Sequence, residues 1–463
     1  MLINGDLVTG ELPLDVVNPA TGKAFLTVSR ASERQLEAAL AAAKTTQKSW
    51  ARTSFAERSV LVARFADALR DNAEAMATLL VKEQGKPIAQ ARIELAVAEN
   101  FVRYFATQEF ASHALPDSDE FRSSLHYRPL GVIAAITPWN FPVLIAAFKI
   151  APALMMGNTV VLKPAQTTPA TSLAIGALAR DIFPAGVLNV VTDNGDLGAF
   201  LTRHPAVDKI SFTGSTATGR KVMATAADAI KRVTLELGGN DAAILLEDCD
   251  IDAVADRLLD GAWANAGQIC TAIKRIYAPR HMYASLCDTL VDRAKARQVG
   301  NGLDEGVRVG PLQNGEQFRK ARDYMDVANR DGEVISGGWI GNEGNFVAPT
   351  LVRGVAASSR LVREEQFCPI LPLLAYDDLD AAIADANSTE YGLGGSIWTN
   401  DLDRAARLAP SLHSGTVWVN THDQVSPQIP MGGAKQSGLG VEFSRYGMEE
   451  FAQKTVVRIR LPN

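Results

Sequence analysis

The chain has 463 residues, of which 47% are hydrophobic and 21% are charged, and its formal net charge is -6. This length predicts about two to three folding units. The composition is typical of a globular protein and excludes a disordered or fibrous one. The small net charge, spread along the chain without a basic stripe, argues against nucleic acid or an anionic membrane as a partner.

The amino-terminal segment MLINGDLVTGELP lacks the basic start and apolar core of a signal peptide. The sequence also lacks the run of about 18 apolar residues that a membrane-spanning helix needs. We therefore expect a cytoplasmic location and no membrane contact. The four cysteines form no CxxC pair, which predicts no disulfide scaffold. The six histidines have no metal-ligand spacing, so we predict no metal site.

The predicted elements begin with helical periodicity over residues 31–107, with the first strong breaker at 85–87. A compact apolar strand follows over 132–137, then a helix in IAAFKIAPALMMG and a second strand in NTVVLKPA. Further strands are predicted in VLNVVT and DKISFTGS, each preceded by a helix. This alternation predicts βαβ units and a doubly wound parallel sheet.

After Gly238 and Gly239 the α/β pattern begins again with DAAILLE and continues through GLGGSIWTN and SGTVWVN. The pattern predicts a second α/β domain. Near the end, KTVVRIRLP alternates as an edge strand does, and SSLHYRPL is its predicted partner. Because both segments would otherwise be exposed edges, they indicate pairing between subunits.

Cys270 ends the segment WANAGQIC and precedes TAIKRIY, which we predict to be helical. At a helix amino terminus, backbone N–H groups and the helix dipole lower the pKa of a thiol from about 8.5 and favour the thiolate. A thiolate attacks aldehydes well. Cys270 is therefore a candidate nucleophile, and the alternative is a small buried apolar residue.

Two further segments carry groups suited to the same chemistry. In TLELGGN, Glu236 closes a strand directly before two glycines, which let the backbone bend tightly toward a ligand. A partly buried carboxyl has a raised pKa and can act as a general base. In PWNFP, two prolines stiffen a turn that presents Asn140, whose amide can donate to an oxyanion. The alternatives are a structural carboxylate and a turn-stabilising amide.

Two segments have features of a nucleotide site. FTGSTATG is a glycine-rich turn that opens a predicted helix and so exposes N–H groups able to hold a pyrophosphate, although it is not a GxGxxG motif. In VVLKPAQ, Lys163 ends a strand and is placed to reach a ribose hydroxyl or a phosphate. A solvated strand-end lysine is the alternative.

Together, PWNFP, LKPA, FTGS, LELGGN, NAGQIC, EEQFCP and GGAKQSGLG resemble the aldehyde dehydrogenase superfamily, in that family's order and over nearly the whole chain. The pairing of LELGG with a GQxC segment 34 residues later is highly specific. The resemblance implies an α/β fold in three parts. These are a Rossmann-like NAD(P)-binding domain (1–118 and 132–238), a catalytic domain (239–438) and a β-arm (119–131 and 452–463) that builds a homodimer or homotetramer.

The resemblance also implies a mechanism. The Cys270 thiolate attacks the aldehyde, and the oxyanion of the thiohemiacetal is held by Asn140 and the Cys270 N–H. Hydride leaves for the nicotinamide, and Glu236 then activates the water that hydrolyses the thioester. Glu442, in GLGVEF, matches a second family glutamate that relays protons, and a surface carboxylate is its alternative.

Cofactor contacts follow from the same matching. Around the adenosine and pyrophosphate the resemblance places Thr137, Trp139, Lys163, Gln166, Gly214 and Ser215. At the nicotinamide ribose and ring it places Glu365 and Phe367, with the Leu237 carbonyl at the carboxamide. Cys368 stands where the family usually has glycine, which predicts crowding near the ribose.

The choice between NAD and NADP depends on Gln166. NAD-preferring relatives often carry a glutamate at this position, which binds the adenosine ribose hydroxyls. A carboxylate would repel a 2′-phosphate and an amide does not. The sequence therefore favours NAD and leaves NADP open.

The resemblance predicts a largely apolar aldehyde channel. Its expected lining is Phe141, Ile145, Phe148, Ala264, Ile269, Thr271, His422 and Val425. Relatives that take succinate semialdehyde tend to have arginines where this chain has Phe148 and Ala264, so the obvious anchors for a carboxylate are missing. A neutral aliphatic or aromatic aldehyde is the expected substrate. His422 is either a hydrogen-bond donor to it or a packing residue.

Other functions stay open as alternatives: a semialdehyde dehydrogenase, a reductase that passes the acyl group to coenzyme A, and a non-catalytic protein of the same fold. The coenzyme A enzymes generally lack the glutamate of LELGG, and a non-catalytic protein would be expected to lose the nucleophile. Because Glu236 and Cys270 are both present, the sequence predicts a hydrolytic aldehyde dehydrogenase.

Overall fold

The structure of the protein is a computed structural model that describes residues 1–339, 341 and 343–462. Ile340 and Asn342, within the predicted catalytic domain, and Asn463, the last residue of the predicted arm, lie outside the described residues. Within the described ranges, every helix is too short or too polar to span a bilayer.

The strands of the first half are β1 (Leu2–Ile3), β2 (Asp6–Leu7), β3 (Leu12–Asn18), β4 (Lys23–Arg30), β5 (His113–Ala114), β6 (Phe121–Pro129), β7 (Val132–Ile136), β8 (Thr159–Lys163), β9 (Leu188–Val190), β10 (Lys209–Thr213) and β11 (Arg232–Glu236). The helices of this half are α1 (Glu33–Trp50), α2 (Phe55–Asp71), α3 (Ala73–Gln84), α4 (Ile88–Ala106), α5 (Pro142–Met155), α6 (Ala170–Ala179), α7 (Gly198–Arg203) and α8 (Thr216–Ala227).

The strands of the second half are β12 (Asp241–Leu245), β13 (Ile273–Pro279), β14 (Glu333–Ser336), β15 (Thr350–Arg353), β16 (Ile370–Tyr376), β17 (Gly394–Trp398), β18 (Thr416–Val419), β19 (Gly438–Leu439) and β20 (Ala452–Arg460). The helices of this half are α9 (Ile251–Trp263), α10 (Arg280–Lys295), α11 (Gly315–Asp331), α12 (Arg360–Arg363), α13 (Leu379–Asn387), α14 (Leu402–Leu408) and α15 (Ser444–Glu449).

The first sheet has the strand order β19-β11-β10-β7-β8-β9-β1-β2. The five strands from β11 to β9 run parallel, as the sequence predicts. Chain order reverses at the β7–β10 pair, because β8 and β9 extend to one side and β11 to the other. Ligands of doubly wound sheets bind at the carboxyl ends of the strands at such a switch point. Here those ends are Ile136 and Thr213.

The second sheet has the order β14-β15-β16-β13-β12-β17-β18 and is parallel except at β14. Residues 237–240 connect β11 directly to β12, so the carboxyl edge of the first sheet meets the amino edge of the second. The predicted helix in TAIKRIY is wrong, since Ile273–Pro279 form the buried central strand β13. A short apolar run buried on both faces has no periodicity that separates strand from helix.

The amino-terminal helices and the terminal strand pair agree with the sequence prediction. Residues 31–107 form α1 to α4, and α3 ends at Gly85, whose φ of 100° is the left-handed conformation that glycine adopts readily. The predicted pairing of the terminal strand is confirmed, because β20 pairs antiparallel with β6 from Ala452 opposite Pro129 to Arg460 opposite Phe121. Strand β5 lies on the other side of β6.

Candidate active site

The two glycines of LELGGN bring the end of β11 against the cysteine loop. A Cβ atom on Gly239 would collide with the carbonyl oxygen of Cys270, and one on Gly238 would collide with the Glu365 carboxylate. The Gly239 N–H donates to Glu365 Oε1 at 3.0 Å. Close approach to the backbone therefore requires glycine at position 239, while at Gly238 a Cβ atom would displace the Glu365 side chain. Glu236, Glu365 and Cys270 are gathered around one bend of the backbone.

A cavity of about 390 Å³ opens at this bend, at the switch point of the first sheet. Its lining contains Pro138, Trp139, Asn140, Thr213, Gly214, Ser215, Leu237, Gly238, Cys270, Gln317, Lys320, Asp323, Tyr324, Arg360, Glu364, Glu365, Gln366 and Phe367. Eight of the sequence-predicted site residues are thus brought together: Trp139, Asn140, Gly214, Ser215, Leu237, Cys270, Glu365 and Phe367. The volume lies in the range of small-molecule and cofactor sites, about 300–1,000 Å³.

Cys270 does not begin a helix. It follows a 3₁₀ turn over Ala264–Gly267 and precedes β13, so the predicted helix dipole is absent at the thiol. Burial raises the pKa of the Cys270 thiol well above its usual value, and the Glu236 and Asp423 carboxyls raise it further. The expected lowering of this pKa is therefore wrong for the protein alone. Forming the thiolate requires a nearby base.

Glu236 is the candidate for that base, because among the carboxyls whose charges act on the Cys270 thiol it has the largest effect. Its side chain is buried at the carboxyl end of β11, and its Oε1 atom has no hydrogen-bond partner among the described residues. The pKa of Glu236 is raised to about 8, chiefly by burial and also by the Glu442 charge, while Lys149 opposes the rise. A carboxyl with a pKa near neutrality can both accept and release a proton at physiological pH.

Glu442 is buried, so the surface-carboxylate alternative for this residue is wrong. Its Oε1 atom lies 2.7 Å from Lys149 Nζ, which also donates to Ser211 Oγ at 3.0 Å. Lys149 comes from α5 and Ser211 from β10, so the pair sits between the first sheet and its covering helix. The negative charge of Glu442 acts on Glu236 across this buried region.

The Asn140 side chain is buried, and its Nδ2 atom donates to the Gln268 carbonyl at 3.0 Å. Gln268 precedes Cys270 by two residues, so this bond ties the PWNFP turn to the cysteine loop. An amide NH₂ carries two N–H groups, and the bond to Gln268 uses one of them. The second is available for an oxygen in the adjoining cavity.

The cofactor side of the cavity has features that fit a dinucleotide. Ser215 caps α8, with its Oγ accepting from the Thr218 N–H at 3.3 Å, so the amino terminus of a twelve-residue helix faces this side. The hydroxyls of Thr137, Thr213 and Thr216 are buried and lack hydrogen-bond partners within the described ranges. Unsatisfied buried hydroxyls are expected where a polar ligand completes the site.

On the opposite wall, the rings of Trp139 and Phe367 meet edge to face with centroids 5.5 Å apart. Burial raises the pKa of Glu365, beside them, to about 7. Cys368 follows, but its thiol packs in the hydrophobic core of the second sheet and is absent from the cavity lining. The Cys368 thiol therefore does not project into this cavity, and the crowding expected near the ribose stays a prediction.

Lys163 and Gln166 lie apart from the main cavity. Lys163 Nζ is 2.6 Å from Asp193 Oδ1 and is buried, so the solvated-lysine alternative is wrong. The Thr137 N–H donates to the Lys163 carbonyl at 3.1 Å, which places Lys163 at the same sheet edge as Thr137. Gln166 lines a second cavity of about 230 Å³, together with Asn194.

Five of the residues around the predicted channel share one apolar cluster: Ile145, Phe148, Phe141, Val425 and Cys270. Phe148 packs against two further rings, with centroids 6.0 Å from Phe101 and 4.9 Å from Phe443. Ile269 and Thr271 are buried in the cysteine loop, and Ala264 is partly buried at its start. The surroundings of the thiol are therefore apolar on this side.

His422 is a packing residue. Its Nδ1 atom lies 2.9 Å from Ser396 Oγ and its Nε2 atom 2.7 Å from the Thr271 carbonyl, so both ring nitrogens are occupied within the protein. The neighbouring Asp423 was missed by the sequence reasoning. Its Oδ1 atom accepts from Thr271 Oγ1 at 2.5 Å, and burial raises its pKa to about 6. A carboxyl group thus lies beside the apolar cluster.

Sequence reasoning also missed the wall of the cavity formed by α11. Gln317, Lys320 and Tyr324 are spaced three and four residues apart, so they share one face of this helix. Tyr324 donates to Glu364 Oε2 at 3.1 Å, which joins α11 to the residues before Glu365. The spacing of polar residues along QFRKARDYM is the signal that could have found them.

The aldehyde dehydrogenase family model matches residues 8–457, almost the whole chain. The chain belongs to the aldehyde dehydrogenase family. It is 38% identical to the mitochondrial aldehyde dehydrogenase of Leishmania tarentolae, over 99% of this chain and 94% of that one. It is also 38% identical to the glutarate-semialdehyde dehydrogenase of Pseudomonas putida, over 97% and 95%. The protein is therefore an NAD(P)-dependent aldehyde dehydrogenase.

Solved structures agree with this assignment. The aldehyde dehydrogenase of Brucella melitensis biovar abortus 2308 superposes with a TM-score of 0.97 at 37% identity, over 100% of this chain and 97% of that one. The betaine aldehyde dehydrogenase of Staphylococcus aureus, solved in complex with NAD+, gives 0.95 at 32% identity, over 99% and 94%. The predicted fold class is confirmed.

Proposed function

We propose that Cys270 and Glu236 carry the two halves of a hydrolytic aldehyde oxidation. In the first half the thiol proton passes to Glu236 and the sulfur bonds to the aldehyde carbon. The carbonyl π electrons move onto oxygen, and the resulting oxyanion accepts from Asn140 Nδ2 and the Cys270 N–H. Two observations carry this proposal: Cys270 and Asn140 line one cavity, and the buried Glu236 carboxyl is close enough for its charge to raise the pKa of the Cys270 thiol.

In the second half Glu236 acts again. After oxidation of the bound carbon, a thioester links the acyl group to Cys270. Glu236 accepts a proton from water as the water oxygen attacks the acyl carbon, and the carbon–sulfur bond breaks to release the carboxylic acid. Glu236 must first lose the proton taken from the thiol. We assign its transfer to the Glu442 carboxylate, which accepts the proton, is paired with Lys149 and acts through its charge on Glu236.

The proposed cofactor site extends from Cys270 toward α8. Gly214, Ser215 and the α8 amino terminus would hold the pyrophosphate, and Thr137, Lys163 and Gln166 would lie toward the adenosine. Trp139, the Leu237 carbonyl, Glu365 and Phe367 would surround the nicotinamide riboside. Bound NAD(P)+ supplies the hydride acceptor. We favour NAD and leave NADP open, since Gln166 introduces no charge against a 2′-phosphate.

We propose a neutral aliphatic or aromatic aldehyde as substrate. The thiol is flanked by the apolar cluster of Phe141, Ile145, Phe148 and Val425. The Asp423 carboxyl, whose charge acts on the Cys270 thiol, disfavours a carboxylate-bearing aldehyde. Turnover of hexanal, benzaldehyde and succinate semialdehyde, each with NAD and with NADP, tests this choice. A higher kcat/KM for the semialdehyde would select the semialdehyde alternative.

The assembly and location are proposed on separate grounds. The outer strand β20 exposes Val456, Val457 and Ile459, so we propose that the arm joins subunits of a homodimer or homotetramer.

The three-part division into 1–118 with 132–238, 239–438 and the arm is retained as a proposal. Four free cysteines fit the reducing cytoplasm, our proposed location.

Replacing the nucleophile tests the reaction. Cys270→Ala should abolish aldehyde-dependent NAD(P) reduction while NAD(P) binding, measured by calorimetry, is retained. Cys287→Ala is the matched control, because Cys287 is buried in α10, away from the cavity lining. Undiminished turnover by Cys270→Ala would remove Cys270 from the role of nucleophile.

A further inference from the structure

A buried ion pair lies under the turn that carries Asn140, and none of the proposed chemical steps uses it. Lys86 stands between α3 and α4, Glu94 lies in α4, and both side chains are at most 1% exposed. The Lys86 ammonium donates to Glu94 Oε2. Removing two charges from water costs several kcal/mol for each ion, so a buried pair is weak evidence for a purely stabilising role.

The remaining contacts of the pair all reach the Asn140 turn. Lys86 Nζ donates to the Asn140 carbonyl at 2.9 Å and lies 3.8 Å from the centroid of the Phe141 ring. Glu94 Oε1 accepts from the N–H groups of Val143 at 3.0 Å and Leu144 at 3.2 Å, in the first turn of α5. One ion pair therefore holds the backbone on both sides of the turn.

The turn is also fixed to the cysteine loop. Asn265 Nδ2 donates to the same Asn140 carbonyl at 3.1 Å, and Asn140 Nδ2 donates to the Gln268 carbonyl at 3.0 Å. The carbonyl of Asn140 thus has two donors, one from Lys86 and one from the cysteine loop. Loss of the Lys86 donor would leave the Asn140 carbonyl with the Asn265 donor of the cysteine loop.

We propose that Lys86 and Glu94 are positioning residues, which hold the Asn140 amide and the Phe141 ring in place beside Cys270. This inference rests on the proposed oxyanion role of Asn140. Lys86 fixes the carbonyl before Phe141, and Glu94 fixes the helix start after it. Neither side chain lines the cavity, so both act through Asn140.

A double-mutant cycle tests the inference. Asn140→Ala alone should lower kcat about 100-fold to 1,000-fold, as loss of one oxyanion donor does. Lys86→Met should lower kcat at least tenfold, with the Kd for NAD+ unchanged. In the double variant, Lys86→Met should add less than twofold to the Asn140→Ala defect, because residues that act through one group are not additive. A merely structural Lys86 would give the same fold-loss in both backgrounds.

Two further variants keep the test decisive. If Lys86→Met fails to fold, Lys86→Met with Glu94→Gln removes both buried charges and takes its place in the cycle. Arg103→Met is the matched control, since Arg103 is in α4 but pairs with Glu99 and Asp67 near the surface. Additive losses, or full kcat in Lys86→Met, would overturn the positioning role. Full kcat in Asn140→Ala would instead overturn the proposed oxyanion role.

Discussion

Lys149 Nζ lies 2.7 Å from Glu442 Oε1, and the charges of both residues act on Glu236 in opposite directions. Glu442 adds to the burial that raises the pKa of Glu236 to about 8, whereas Lys149 lowers it. Burial therefore makes the largest contribution to the raised pKa of the proposed base, and a charged pair that does not line the cavity around the thiol modifies it.

Variants of this pair should move the pH dependence of thioester hydrolysis in opposite directions. The deprotonated form of Glu236 is the base, so hydrolysis should rise with pH through about 8. Glu442→Gln removes a like charge and should shift the profile to lower pH, and Lys149→Met should shift it to higher pH. Single-turnover acid release between pH 6 and 10 measures both. Glu333→Gln, an exposed control, should leave the profile in place. Shifts of the profile in the same direction in both variants would refute the opposite effects of Glu442 and Lys149 on Glu236.

The raised pKa of Glu236 also predicts an effect on stability. Its pKa in the folded protein, about 8, lies above the ordinary 4.5, so folding favours the protonated carboxyl. This contribution is full below about pH 4.5 and is lost as the pH rises through about 8. Melting temperatures should therefore show wild type losing stability relative to Glu236→Gln between pH 5 and 8. A difference that stays constant over this range would contradict a buried, protonated Glu236.

Gln166→Glu should increase the preference of the enzyme for NAD over NADP. A carboxylate at this position repels the 2′-phosphate of NADP, so kcat/KM with NADP should fall at least tenfold while that with NAD is kept or rises. Parallel steady-state assays with the two cofactors measure the ratio. Gln298→Glu, on an exposed site outside both cavities, controls for the added charge. An unchanged ratio would mean that Gln166 does not contact the adenosine ribose.

Asp423 should set the discrimination against anionic aldehydes. Asp423→Asn removes the charge and keeps an oxygen that can accept from Thr271. The KM for succinate semialdehyde should therefore fall several-fold, while the KM for hexanal should stay nearly constant. Asp377→Asn, an exposed residue paired with Arg280, is the control. If both substrates respond equally, Asp423 does not act through its charge on the substrate.

Much of the fold could be predicted from the sequence because its signals are local. Apolar runs separated by predicted helices indicated the parallel strands of the first sheet. The alternation of polar and apolar residues near the end of the chain indicated the edge strand β20, which pairs with β6. The segment after Cys270 was predicted wrongly, since a buried strand of seven residues has neither a two-residue nor a helical period. Without that helix, the expected source of a lowered thiol pKa was also lost.

The site was predictable where a motif carries it and unpredictable where distant segments meet. Glu236 and Cys270 could be paired because the motif LELGG precedes GQxC at a fixed spacing. Asp423 lies beside the cysteine loop because it accepts a hydrogen bond from Thr271, which is 152 residues away in the chain. No local sequence pattern predicts that contact. The same holds for Lys86, whose carbonyl partner Asn140 is 54 residues away.

The central claim is that an acyl group is carried on Cys270 and removed by Glu236. Intact-protein and peptide mass spectrometry of Glu236→Gln, quenched after mixing with NAD+ and hexanal, tests it most directly. The account predicts a stable adduct of the acyl mass on the peptide that contains Cys270, which wild type shows only transiently and Cys270→Ala never shows. Acid release at the wild-type rate without an adduct on Cys270 would contradict the account.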